Sequence, residues 1–223
     1  MRQVLRTAAL TGALLVAGAR SARAADGAPS DHGFEIGFRT GVAIPVGDTS
    51  SGYKLSDGLG LQFPLWVDIG YRLGNLVIGA YGQWAPGLLG SQIDCQDVKC
   101  SAWAWRAGLE VQVHPAGRGG VDPWISLGFG YEWDTLRSSI LAGTQEVSGS
   151  VTVHGWDIGR LGLGVDFPLT SWLRIGPFVH ATVSEFVVTG VSIPDVGFSE
   201  STGIVRKAVH SWITIGVKIT GLL

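Results

Sequence analysis

The stretch SAWAWRAGLEVQVHP, residues 101–115, alternates with period two. Trp103, Trp105, Ala107, Leu109, Val111 and Val113 share one face, and Ala104, Arg106, Gly108, Glu110 and Gln112 share the other. Successive side chains on a strand point to opposite faces, so the alternation predicts a β-strand with one apolar and one charged side. Either the charged side meets water and the tryptophans fill a core, or the arrangement is inside out.

The same period recurs along the chain. Over 33–45, Phe34, Ile36, Phe38, Val42 and Ile44 oppose Glu35, Gly37, Arg39 and Gly41. Over 61–73, Leu61 to Leu73 at odd positions oppose Trp66, Asp68, Gly70 and Arg72, and Gly74–Asn75 then gives a two-residue hairpin signal. Strands are predicted at 76–86, at 101–113 and at 123–134, where Ile125 to Trp133 oppose Ser126, Gly128, Gly130, Glu132 and Asp134. Three more are predicted at 151–169, 172–188 and 210–220. Short turns at 74–75, near 116–122 and at Thr170–Ser171 alternate with four long polar connections, one of them about 16 residues between 134 and 151. The expectation is eight strands in an up-and-down meander, all-β, with both termini at the short-turn end. Pro177 falls mid-strand, where it removes one ladder donor, and a local bulge is expected there.

Composition decides which face is inside. Glycine accounts for 34 of 223 residues, about twice its usual share of roughly 7%. These glycines sit on the charged face, whereas the apolar face is built of large side chains. A soluble barrel would waste β-propensity by placing glycine outside. Eight strands leave a lumen with room for little more than side chains, which is where small residues belong. Aromatic residues also gather at both strand ends of the apolar face. Phe34, Tyr71 and Phe167 lie near the short turns, and Trp84, Trp103, Tyr131 and Trp133 lie near the long loops. Two such belts mark membrane interfaces.

The inward charges are then Arg39, Arg72, Arg106, Arg160, Arg174 and Lys218 with Glu35, Asp68, Glu110, Glu132 and Asp166. Near-balance is expected of a confined network, because an unpaired interior charge is costly. Arg106 and Glu110 stand roughly 13 Å apart along their strand, so partners come from neighbouring strands, with Asp68, Glu132 and Arg160 as candidates.

Residues 1–24 read as a secretory signal peptide: Arg2 and Arg6 in the n-region, an apolar stretch from Ala8 to Ala19, and Ala22–Arg23–Ala24 for cleavage. A short periplasmic segment, 25–32, would precede the barrel at 33–221. Removing the four arginines of the signal leaves 12 basic residues against 18 acidic ones, a net charge of −6. No basic run remains, so nothing favours nucleic acid or heparin as a partner. Cys95 and Cys100, in an exported chain, predict a disulfide clipping a loop; a metal site is the rival, short of ligands without a nearby histidine.

In signal peptide, strand count, loop alternation and inward charge, the chain resembles the small eight-stranded outer-membrane β-barrel families of Gram-negative bacteria, the OmpA transmembrane domain and OmpX among them. The resemblance covers 33–221 in architecture. It implies residence in the outer membrane amid lipid and lipopolysaccharide, insertion by the barrel-assembly machinery, and no cofactor. The last strand departs from the family: Thr214–Gly216 keeps its start, but the chain ends in Leu223 and not in an aromatic residue. A peptidoglycan-binding domain of the OmpA type is not expected.

Three functions follow. The first is a non-enzymatic barrel with a structural or surface-interaction role exercised through its loops. The second is a lipid A-modifying enzyme, for which His180 with Thr182 and Ser184, or His210 with Ser211, are the candidates; parity puts the first set inside, away from lipid, and the second pair on opposite faces. The third is a narrow, porin-like ion or solute pore. No nucleotide-binding, zinc or calcium motif is present, and Asp94 and Asp97 read as a solvated loop.

Overall fold

The period-two segments close on themselves. The computed structural model describes residues 32–50, 52–96, 98–116, 120–142 and 145–223. The residues read as a signal peptide, most of the segment after them, Asp97 and part of the glycine turn near 118 lie outside the described residues. In chain order the elements are β1 (His32–Ser50), β2 (Tyr53–Lys54), α1 (Leu55–Gly58), β3 (Leu59–Gln62), β4 (Leu65–Leu73), β5 (Leu76–Leu89), β6 (Lys99–Val113), β7 (Asp122–Ala142), β8 (Gln145–Pro168), β9 (Leu173–Ile193), β10 (Phe198–Gly203) and β11 (Val209–Leu222). β1, β4, β5, β6, β7, β8, β9 and β11 each pair antiparallel with the next, and β11 pairs with β1, for instance Arg39 opposite Lys218, so the ring is closed. Closure leaves the ring no free edge, the condition for a sheet to cross lipid.

The faces fall as the alternation predicts. Phe34, Ile69, Leu127 and Ile215 are outward and exposed, whereas Arg39, Glu132 and His180 are fully buried inside. Gly74, at φ +62°, takes the left-handed region that the two-residue turn between Leu73 and Leu76 requires. Gly108 and Gly130 face each other across β6 and β7, and a Cβ on either would press on the Tyr81 hydroxyl. Glycine on the inner face is thus the space into which the lumen's large side chains fit.

Two expectations need correction. The polar connection of about 16 residues is mostly strand: β7 and β8 pair from Asp122 opposite Asp166 out to Ala142 opposite Gln145. Its alternation continues past Asp134 with the polarity reversed, Thr135 and Arg137 turning outward and Leu136 packing inward, so a search for apolar-out residues loses it. Second, Pro177 makes no bulge. Gly164 opposite Phe178 and Phe167 opposite Ile175 keep one register, as do Lys218 opposite Gly176 and Val217 opposite Pro177. The bulges lie elsewhere. One is on β8 between Asp157 and Arg160, opposite Gly128–Gly130, and another is on β9 at Val187. The first switches the outward parity of β8, bringing Trp156 to the lipid face and Asp157 to the lumen.

The first long connection is folded as well. It carries α1, whose Leu55 is fully buried in the mouth of the barrel. Gly90, Ser91 and Gln92 donate backbone hydrogen bonds to the carbonyls of Gly58, Ser56 and Asp57 and hold α1 in place. Just beyond, Cys95 and Cys100 form the expected disulfide.

Candidate functional site

The lumen is a stack of charged layers separated by rings. At the short-turn end, Arg72 meets Glu35 and Asp122, and Arg174 reaches the Gly120 carbonyl and Asp122. His114, in the turn after β6, donates from Nδ1 to Asp122 at 2.9 Å. The next layer centres on Arg39, which bonds Asp68 at 2.8 Å and Glu110 at 2.5 Å. Glu110 also receives Gln112 and His180, while Lys218 spans Gln112 and Asp166, and the Trp124 indole donates to Asp166.

Above this, Arg160 bonds Asp157 at 3.1 Å, and the Tyr81 hydroxyl donates to the same carboxylate. The Trp66 ring lies 5.0 Å from the Arg39 guanidinium carbon and 4.6 Å from that of Arg160, and Tyr81 lies 4.0 Å from Arg160. A guanidinium over an aromatic face is attracted by the ring quadrupole, and more so away from water. In the uppermost charged layer Arg106 bonds Glu132, Asp134 and Gln62, and His210 meets Glu132. An apolar plug closes the mouth: Leu55, Leu59, Ala43, Ala102, Phe186 and Trp212.

All eleven residues expected of the interior network are in this stack; Glu132 meets Arg106 as expected, whereas the other two candidate partners bond elsewhere. Of the three candidates on neighbouring strands, Glu132 pairs with Arg106, Asp68 with Arg39, and Arg160 with Asp157. Among the described residues six Arg and Lys side chains face eight carboxylates, because Asp122, Asp134 and Asp157 join the five expected acids, and His114, His180 and His210 each contact one of them. Asp134 shared the inward parity of Glu132 and could have been read from the sequence. Asp157 was hidden by the bulge after it, and Asp122 by the turn before it. The buried rings Trp66, Trp124, Phe178 and Trp212 follow inward parity too, yet no periodicity reveals that each meets one or two of the lumen's cations face to face.

Outside, the aromatic belt residues all point to lipid. Phe34 and Tyr71 pack edge-on at 5.1 Å near the short turns, with Phe167 outward at the same end. Trp84 and Trp105 approach to 6.5 Å, and Tyr131 touches Trp133 at 4.7 Å and Trp156 at 5.0 Å. Trp103 continues this patch, which spans β5 to β8. Trp105 and Trp156 are additions to the expected belt.

His114 gives the short-turn end a pH response. Burial pushes its imidazole below the ordinary value of about 6.5, the Asp122 bond opposing and Lys218 and Arg72 reinforcing the shift. A folded value below the unfolded one means that the unfolded chain binds the extra proton. The stabilisation is therefore complete above about pH 6.5 and is lost progressively as the pH falls below that value towards the lower folded one. Urea midpoints should drop more between about pH 7.5 and 5.5 for the native chain than for His114→Gln; equal drops would remove His114 from the account.

No protein-family model matches this chain, and no curated protein matches it. Among solved structures it is similar in fold to a major outer membrane protein from Thermus thermophilus, with a TM-score of 0.52 at 12% identity over 86% of this chain and 99% of the other. Neisserial surface protein A gives a TM-score of 0.44 at 12% identity, covering 85% and 97%. OprG from Pseudomonas aeruginosa gives 0.45 at 16%, covering 87% and 99%. Ring closure, an apolar exterior and a charged interior define the class: a transmembrane β-barrel of the outer-membrane type, built on eight strands.

Proposed function

We propose that the protein resides in the bacterial outer membrane as a closed, non-enzymatic barrel, structural in its span and presenting its long hairpins for surface interactions. Lipopolysaccharide and lipid surround it, and the barrel-assembly machinery inserts it. The observation that carries this reading is the filled cross-section at Trp66, where one indole lies between the guanidinium groups of Arg39 and Arg160. The plug of Leu55, Phe186 and Trp212 lies above, and a cavity of about 20 Å³ beside Asp68, Glu110 and Thr220 below holds room for a single water molecule. A water path through such layers needs several salt bridges to break at once.

Planar bilayers are the test. The purified full-length chain, folded as judged by a shift in gel mobility on boiling, should give no large, stable conductance step. Reproducible steps of that kind from the heat-modifiable species would overturn the closed reading and favour the pore. The enzymatic reading finds less support. His180, Thr182 and Ser184 are all buried in the lumen; His180 is engaged by Glu110 and Ser184 donates to Asp157, so none of the three is offered to a lipid substrate.

A further inference from the structure

Above the membrane the wall of the barrel turns right side out. On β7 and β8 the outward positions become Thr135, Arg137, Ser148 and Thr152, and the inward ones become apolar, Leu136 packing against the plug and Val151 lying half exposed. β9 and β10 continue this projecting sheet. Between its inner face and the tip of β1 lies an open groove of about 320 Å³. Val153 and Ile204 give it apolar walls over a floor of Phe186, and Thr49, Thr189 and Thr202 are among its lining residues, with the Thr49 hydroxyl donated to the Tyr53 carbonyl.

The floor is closed. Phe186 is fully buried and stacks on His210 with ring centroids 4.0 Å apart and planes 23° apart, and both belong to the packed top of the lumen. Nothing entering the groove goes further without displacing that pair. Among the described residues no charged side chain lines it, and Lys207, bridged to Ser50 beside it, is already paired with Glu185 at 3.3 Å. A charged ligand would lose water without gaining a counter-ion, whereas an apolar one gains burial and can hydrogen-bond a threonine hydroxyl. The volume lies at the lower end of the range for small-molecule pockets, roughly 300–1,000 Å³, too small for a helix or strand of a partner protein.

The geometry points to a binding site for one small, neutral, largely apolar molecule bearing a hydroxyl or carbonyl group, held between the β9–β10 hairpin and the tip of β1. The site is independent of whether the lumen below conducts, and the bilayer result has no bearing on it.

The probe is 1-naphthol, titrated calorimetrically into the full-length chain in detergent. Partition into micelles gives a heat common to all variants, and binding adds a saturable 1:1 component. Thr202→Trp fills the groove from the exposed hairpin and Thr49→Trp from the opposite wall. Both variants are first required to show heat-modifiable mobility. The native chain should saturate, each variant should bind at least about tenfold more weakly, and 1-naphthoate, similar in size but anionic, should bind at least about tenfold more weakly to the native chain. A native isotherm that never saturates overturns the site. So does saturable binding that survives both substitutions, and naphthoate binding equal to naphthol overturns the neutral class.

Discussion

Arg106→Glu should destabilise the folded barrel by about 3–5 kcal/mol, the cost typical of breaking a buried ion pair from one side. Glu132→Arg in the same chain should return part of that loss, and Glu110→Arg should return none. Arg106 is 2% exposed, and its guanidinium reaches Glu132 at 3.1 Å, Asp134 at 3.4 Å and Gln62 at 3.0 Å, with the Trp212 ring 4.7 Å away. Reversing its charge puts a third carboxylate beside Glu132 and Asp134 in a site closed to water by Phe186 and Trp212. The swap with Glu132 restores one opposite-charge contact across a directly paired position of β6 and β7. Recovery is partial because His210 then faces the new arginine and Trp212 loses its cation. Glu110 lies on the same strand but belongs to the Arg39 layer, so reversing it adds a second fault. Urea midpoints in lipid vesicles, read by the boiled and unboiled gel bands, rank the variants. Equal rescue by the two partners would mean that the layers are not distinct.

That pairing separates what the sequence makes legible from what it hides. Period-two alternation identified each stave and its lipid face, because one face of a membrane barrel must be apolar along the whole span and the other need not be. The same signal failed where its cause stopped. Beyond Asp134 no lipid remains, so the polarity of β7 and β8 reverses and the strands resemble a loop. At Asp157 a single inserted residue flips the parity, hiding one acid and one belt tryptophan. Parity also places Arg106 and Glu110 in the lumen without saying which partner each meets. Partner choice depends on how the strands are staggered round the ring and how far each long side chain reaches. Arg39 shows this best: it stands opposite Lys218 in the ladder yet bonds Asp68 of β4 and Glu110 of β6.

The largest paradoxical effect is expected at that residue. Arg39→Met should cost about 3–5 kcal/mol, because it leaves Asp68 and Glu110 buried with one cation fewer between them. Adding Asp68→Asn and Glu110→Gln to the same chain removes two more native ionic groups, yet it should raise stability above that of the single variant. The reason lies in the balance of terms inside the lumen. Desolvation of each ion is already incurred in the folded barrel, and the Arg39 bonds offset it only while both partners carry charge. Neutral amides keep the shape and much of the hydrogen bonding of the carboxylates at far lower desolvation cost. Recovery should stop about 1–2 kcal/mol short of the native chain, since methionine cannot replace the guanidinium that faces Trp66 at 5.0 Å, Trp124 at 5.4 Å and Phe178 at 5.9 Å. Folding midpoints of the three chains in the same vesicles decide the matter. A triple variant no more stable than Arg39→Met would show that ring stacking, and not charge compensation, makes Arg39 the centre of the lumen.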